Sequence, residues 1–331
     1  MLAKVTSPVL PLARGAAGEA VRDLQRRLAR AGYDLSGDEA GSYGEHTASA
    51  VRHFQESRGL RVDDTCGTQT WGALVEAGYQ LGDRLLYERR PMLRGDDVAD
   101  LQTRLGDLGF FADRVDGILG PQTAAAITDF QRNSGLTADG ICGPDTIAAL
   151  HRVRRRTAPS VKAGVVEREQ LRSGSRLLAG RRILVGQLGG LDALATTVSR
   201  ALQEQGAVVA AWTHPDPSAQ AAEANGFAAD VYLGVDLLDE PGCRCSYYGR
   251  PDYESAGGRL LAERLAEALP GAVEGPPGTT HPMQLPVLRE TRMVAVWVEL
   301  GPPTRVVEAT AAIARAVVRC LVDWAAAPVE S

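Results

Sequence analysis

The sequence predicts a multidomain protein: two small all-α three-helix repeats, followed by an α/β domain with a mostly parallel sheet covered by helices. Three observations lead there. At 331 residues the chain is longer than a single hydrophobic core usually organises. A block near the N-terminus recurs further along with apolar residues at helical spacing. Beyond Arg181, short β-branched runs alternate with helical patterns.

The duplication is explicit. Residues 21–28, VRDLQRRL, match 98–105, VADLQTRL. Then Gly44, Thr47, Phe54, Gln55, Gly59, Leu60, Asp63, Cys66, Gly67, Thr70 and Leu74 return as Gly120, Thr123, Phe130, Gln131, Gly135, Leu136, Asp139, Cys142, Gly143, Thr146 and Leu150. In the second copy Val98, Leu101, Leu105 and Leu108 form one helical stripe, Ala124, Ile127 and Phe130 a second, and Ile147 and Leu150 a third. Asp116-Gly117 and Asp139-Gly140 mark turns. Thr123 and Thr146 are expected where helices start, beside Pro121 and Pro144, which suit a first turn. Each copy, at about 60 residues, is near the lower limit for folding alone, so the pair is expected to pack together. The boundaries read as 12–79 and 92–153.

Residues 154–179 lose the pattern and read as a linker, with a short helix around Val165 to Leu171. The α/β domain then occupies 180–325. Strands are expected at Ile183 to Val185, Ala207 to Trp212, Val231 to Val235 and Val294 to Glu299. Helices are expected at Ala193 to Gln205, Ser218 to Phe227, Glu254 to Leu269 and, as one long element, Arg305 to Trp324.

Composition removes several function classes. With 44% apolar and 23% charged residues this is ordinary globular material. A net charge of -5 argues against a nucleic-acid binder, and the basic run Arg152 to Arg156 reads as a solvated linker. No segment approaches the roughly 18 apolar residues of a membrane span. The N-terminal stretch, interrupted by Pro8 and Pro11, lacks the apolar run of a secretory signal, so a cytoplasmic location is expected. Five cysteines form no disulfide framework in a chain this long and read as reduced thiols. Cys66 and Cys142, at equivalent repeat positions, read as small core or turn residues rather than nucleophiles. There is no G-x-S-x-G elbow, and Gly189-Gly190 is too short for a phosphate loop.

The repeats resemble the peptidoglycan-binding domain 1 family. The resemblance rests on Leu24-Gln25, Gly44 to Gln55 and Asp63 to Leu74, and more cleanly on Leu101-Gln102, Gly120 to Gln131 and Asp139 to Leu150. It implies a shallow groove for glycan or stem-peptide material, although such modules are also reused as protein-binding units. The C-terminal region resembles the zinc amidases that cleave between N-acetylmuramic acid and L-alanine. Here the carriers are the first strand with Gly189-Gly190, Ala224-Asn225, Ala229-Asp230, Val287 to Arg292 and Val298-Glu299-Leu300-Gly301.

The amidase chemistry, as that resemblance implies it, needs a His after the first strand, a Glu shortly after and a His at the end of a central strand, with an open position for water. The first-strand segment, Ile183 to Gly190, has no His; the loop for the Glu is missing, because Gly190 runs almost directly into the next helix; and Asp236 stands at the second His position. Glu299 alone corresponds to a family residue, the general base. It is the only catalytic candidate and is expected to be inactive without a metal. Asp236, Arg292 and Glu299 are the expected lining of a residual ligand groove. No cofactor is expected, zinc included. His214 and His281 map to no ligand position and read as loop or surface residues, and Cys243-x-Cys245, near Asp236 and Asp239, is a weak metal-binding candidate without a second pair.

The order of parts resembles the actinobacterial CwlM-type family, with the stretch Tyr79 to Tyr87 between the repeats adding to the likeness. That resemblance implies regulation instead of hydrolysis: a cytoplasmic protein contacting an enzyme of cell-wall precursor synthesis, under Ser/Thr phosphorylation. This sequence closes at Ser331 without a long tail for a phosphosite, so partner contact is expected without that control. The expected partners are a precursor-synthesis enzyme or other cytoplasmic protein and muropeptide or peptidoglycan fragments. Two other readings stay open: an active N-acetylmuramoyl-L-alanine amidase with a rebuilt metal site, and a plain wall-binding module.

Overall fold

The computed structural model describes residues 9–111, 113–154, 175–250 and 253–327. The chain divides into two compact units, 1–163 and 164–331. The helix expected at Val165 to Leu171 and the end of the basic run lie outside the described residues.

The first unit holds both repeats. Helices α1 (Glu19–Arg30), α2 (Glu45–Ser57) and α3 (Thr68–Glu76) form the first, and α4 (Asp96–Asp107), α5 (Pro121–Asn133) and α6 (Pro144–Arg154) the second. The apolar stripes meet as expected: Val98, Leu101, Leu105, Ile127, Phe130 and Leu150 are all buried in one core. Each repeat is closed by an antiparallel bridge, Leu12 to Cys66 and Leu86 to Cys142. That explains the paired cysteines. A small apolar side chain is needed under the bridge, and both are fully buried.

The signature glutamines hold the turns. Gln102 is buried, and its amide nitrogen donates to Asp116 Oδ1 at 2.8 Å, the Ile118 carbonyl at 3.1 Å and Thr123 Oγ1 at 3.0 Å. Its amide oxygen accepts from the Gly117 N–H at 2.8 Å. Gln131 repeats the arrangement with Asp139, the Ile141 carbonyl, Thr146 and the Gly140 N–H. Thr123 and Thr146 therefore do not start their helices. They lie inside the first turn with hydroxyls receiving the glutamine amides, while Pro121 occupies the opening position behind Gly120.

Arg84 anchors the approach to α4. It pairs with buried Asp97 at 2.7 and 3.0 Å and donates to the Arg94 carbonyl at 2.6 Å. Gly95 sits between them at φ 157°, where any Cβ would collide with Asp97 and crowd Arg84. The repeats are tied to each other by Arg58, which donates to both carboxylate oxygens of Asp96 at 2.7 and 2.8 Å.

The second unit alternates β1 (Arg182–Gln187), α7 (Asp192–Glu204), β2 (Val208–Thr213), α8 (Pro217–Gly226), β3 (Val231–Leu237), β4 (Gly242–Arg250), β5 (Tyr253–Glu254), α9 (Ala256–Val273), β6 (Thr279–Met283), α10 (Pro286–Glu290), β7 (Val294–Gly301), α11 (Pro303–Glu308) and α12 (Thr310–Ala326). The sheet runs β2-β1-β3-β7-β4-β5, with β6 also on β4. β2, β1, β3 and β7 are parallel, and β4 turns antiparallel to β7. Alternate residues of each strand share a face. Val231, Leu233, Val235, Val294, Val296, Val298 and Leu300 pack with Leu194, Leu202, Leu261, Leu265, Val317 and Leu321 of α7, α9 and α12. The opposite face lies under α8 and α10, joined where Asn225 donates to the Glu290 carbonyl at 2.8 Å.

Several expectations shift. Leu178, placed in the linker, is buried in the α/β core. The single C-terminal helix is two, because Ala309 leaves helical geometry at φ -92°, ψ 7°. β4 and β6 were not expected at all. β4 has only cysteines and a tyrosine as its inward residues, too little apolar signal for a strand beside the buried runs of β3 and β7.

Candidate functional site

In open α/β sheets, ligands bind where the parallel strands end. Here that edge carries Gln187 from β1, Thr213 and His214 from β2, Asp236 from β3 and Glu299 from β7. Asp236 and Glu299 are register partners and share the face under α8 and α10. Arg244 of β4 is the register partner of Glu299 on its other side. The three side chains thus form a row across three strands, with the acid pair flanked by one guanidinium.

Glu299 is only 4% exposed. The short connection between β3 and β4 crosses the end of β7, and Leu238 donates its N–H to the Leu300 carbonyl at 2.8 Å. A Cβ on Gly301 would run into the carbonyls of Leu238 and Glu240, so glycine is what lets the connection pass this closely.

Arg292 does not join this row. It precedes β7, at the amino end of the strand, while Glu299 lies near the carboxyl end. At about 3.3 Å per residue the two are roughly 20 Å apart along the strand. Arg292 is exposed, and its backbone N–H donates to Asn225 Oδ1 at 2.9 Å. A groove lined by Asp236, Arg292 and Glu299 together is thus not what the fold builds. Arg292 belongs to a segment just before β7, and strand direction puts that segment at the far end from Glu299.

The other candidates are also separated. His214 follows β2 at one edge of the sheet; its ring Nδ1 accepts from the Asp216 N–H at 3.1 Å and its carbonyl accepts from Gln220 at 2.7 Å. His281 lies in β6, not in a loop, at the opposite side of the sheet, within 2.9 Å of Thr279 Oγ1. Cys243 and Cys245 are buried in β4 with sulfurs 3.9 Å apart, facing the α7, α9 and α12 side. They are on the other face of the sheet from Asp236. Their mutual contact, with burial, pushes the Cys245 thiol up. No group of three or more His, Cys, Asp or Glu side chains suited to a metal ion occurs among the described residues.

Sequence reasoning missed a residue that organises this edge. Gln187, 1% exposed, donates from its amide nitrogen to Asp192 Oδ1 at 2.7 Å and Thr213 Oγ1 at 3.0 Å, and its amide oxygen accepts from the Leu191 N–H at 2.7 Å. It joins β1, β2 and the start of α7. A second polar knot lies beneath: Tyr232 donates to Gln220 Oε1 at 2.5 Å, and Gln220 donates to the Gln187 carbonyl at 3.0 Å. A polar residue ending an otherwise apolar strand was the available signal.

The amidase resemblance implies a zinc ion at the carboxyl ends of the strands. A tetrahedral catalytic site needs three converging N, O or S ligands. The residues at the strand ends do not fit: Gln187 is committed to structural bonds, the histidines stand at opposite sides of the sheet, and the cysteines face away.

Comparison with known proteins agrees with the parts. The peptidoglycan binding domain family matches residues 17–74 and 94–150. The chain is 34% identical over 284 residues to the N-acetylmuramoyl-L-alanine amidase CwlM of Mycobacterium tuberculosis, covering 76% of this chain and 70% of that protein. It is 36% identical over 148 residues to the N-acetylmuramoyl-L-alanine amidase CwlL of Bacillus licheniformis, covering 38% and 41% of the two chains. The solved N-acetylmuramoyl-L-alanine amidase of Clostridium difficile 630 superposes with a TM-score of 0.37 at 16% identity, over 44% of this chain and 96% of that one. With the repeats matched by family and more than two thirds of CwlM covered at this identity, the chain belongs to the CwlM-type family, which joins peptidoglycan-binding-type repeats to an amidase-like α/β domain.

Proposed function

We propose that this protein is a non-catalytic regulator or scaffold of peptidoglycan precursor synthesis, working in the cytoplasm through contact with a precursor-synthesis enzyme or another protein, or through binding muropeptide fragments. The observation that carries the reading is the state of the strand ends. At the end of the first strand, where the amidase resemblance implies a metal ligand, Gln187 is bonded on three sides, and Glu299, at the general-base position, is buried. A general base without a metal-bound water has nothing to activate. The repeats supply the link to cell-wall material by family membership. The free thiols, all buried, suit a reducing compartment. No described helix is long and apolar enough to cross a membrane.

The test is metal content of the untagged protein after dialysis, with muropeptide hydrolysis measured on the same sample. The expected result is no stoichiometric zinc and no release of L-alanine-linked peptide. One zinc per chain with hydrolysis abolished by Glu299→Ala would overturn the proposal and restore the amidase reading.

A further inference from the structure

β2 is the edge strand of the sheet, and no other described strand pairs with its outer side. Natural edges are blunted by charge, proline, a bulge or a covering element. Val208-Val209-Ala210-Ala211-Trp212-Thr213 has no charged residue, proline or glycine, and it pairs with β1 in unbroken register over all six positions. Val208 is 46% and Trp212 39% exposed, large values for apolar side chains in a strand.

The backbone fixes which groups are offered. Val208 donates its N–H to the Arg181 carbonyl at 2.8 Å and His214 donates to the Gln187 carbonyl at 3.1 Å, both toward β1. Because strand amides alternate in direction, those of Val209, Ala211 and Thr213 point away from the sheet. Val208, Ala210 and Trp212 share one side-chain face, in register with Arg182, Leu184 and Gly186 of β1.

We propose that β2 pairs antiparallel with β2 of a second copy of this chain, about a twofold axis through Ala210. This inference does not depend on the functional reading above. In that register Val209 of one copy meets Ala211 of the other, so outward amides and carbonyls bond in two reciprocal pairs. On the side-chain face Ala210 meets Ala210, while Trp212 of each copy lies on Val208 of the other. Large residues flank a small one at equal spacing, so the strand is complementary to itself under a twofold. The absence of charge from β2 means that the pairing sets no like charges against each other. Pairing of two six-residue strands alone is a small contact, below the roughly 1,200 Å² of a standard stable interface. A weak, concentration-dependent dimer is therefore expected.

The experiment is sedimentation equilibrium of the full chain from about 1 to 200 µM. The wild type is expected to move from monomer to dimer across that range. Ala211→Pro removes an outward N–H without cutting the ladder to β1, and is expected to weaken dimerisation by about thirtyfold or more. Trp212→Lys, at an exposed position, is expected to act in the same direction and serves should the proline variant fold poorly. The double variant Val208→Cys with Trp212→Cys is expected to cross-link into a covalent dimer on mild oxidation. A wild type that stays monomeric throughout overturns the proposal. So do Ala211→Pro and Trp212→Lys variants that melt and dimerise like the wild type.

Discussion

Replacing Gln102 by leucine tests how the repeats are held together. The change keeps side-chain volume and removes all four bonds of the amide: those donated to Asp116, Ile118 and Thr123, and the one accepted from Gly117. Each such bond contributes about 1 kcal/mol net, and a buried N–H left without an acceptor costs a further 1–3 kcal/mol, so the loss should be about 5–7 kcal/mol. Against a domain stability of about 5–15 kcal/mol, that is enough to populate unfolded repeat 2 near physiological temperature. Urea denaturation of the full chain, with hydrogen exchange read at the Gly117 and Leu119 amides, measures it. Thr103→Ala, on the exposed face of α4, is the control and should change stability by less than about 0.5 kcal/mol. A loss below about 1 kcal/mol for Gln102→Leu would refute the reasoning. The turn would then be held by packing of Leu119 and its neighbours alone.

The remaining predictions concern single contacts. Arg84→Leu leaves Asp97, 1% exposed, without its guanidinium and should destabilise repeat 2 by about 3 kcal/mol in thermal melts. All five cysteines are buried, and burial pushes the Cys66 and Cys142 thiols up to about 12. Thiol titration at pH 8 should therefore find none reacting quickly in the native protein and five after denaturation. Asp64 is held below its ordinary pKa by the hydrogen bond from Arg52. Its contribution is present in full above the usual aspartate range near pH 4 and is lost as pH falls through the lower folded-state pKa. Asp64→Asn should accordingly flatten the acid limb of the stability profile, seen as melting temperature against pH.

Much of the helical unit could be read before any coordinates. The duplicated spacing of Val98, Leu101, Leu105, Ile127, Phe130 and Leu150 is local, and each stripe needs only its own helix to declare itself. The glutamines of the repeat signature were visible as motif residues, but not their task. Gln102 reaches Asp116, Ile118 and Thr123, partners gathered by a turn whose path no spacing rule supplies. In the α/β unit the buried parallel strands announced themselves as apolar runs. β4 did not, because its inward residues are Cys243, Cys245 and Tyr247, and the same cysteines suggested a metal instead.

Sequence by itself determined the repeats, the α/β alternation and the family. These depend on residue identity and on periods within one element. Tertiary structure decided which of the remaining candidates meet. It set Glu299 beside Asp236 and Arg244, sent Arg292 to the far end of the same strand, put His214 and His281 on opposite sides of the sheet, and turned the cysteine pair to the other face. It also revealed Gln187 as the residue that ties the strand ends together. The physical reason is that strand order, direction and face are set by the packing of the whole sheet against its helices, and residues distant in sequence become neighbours only through that packing.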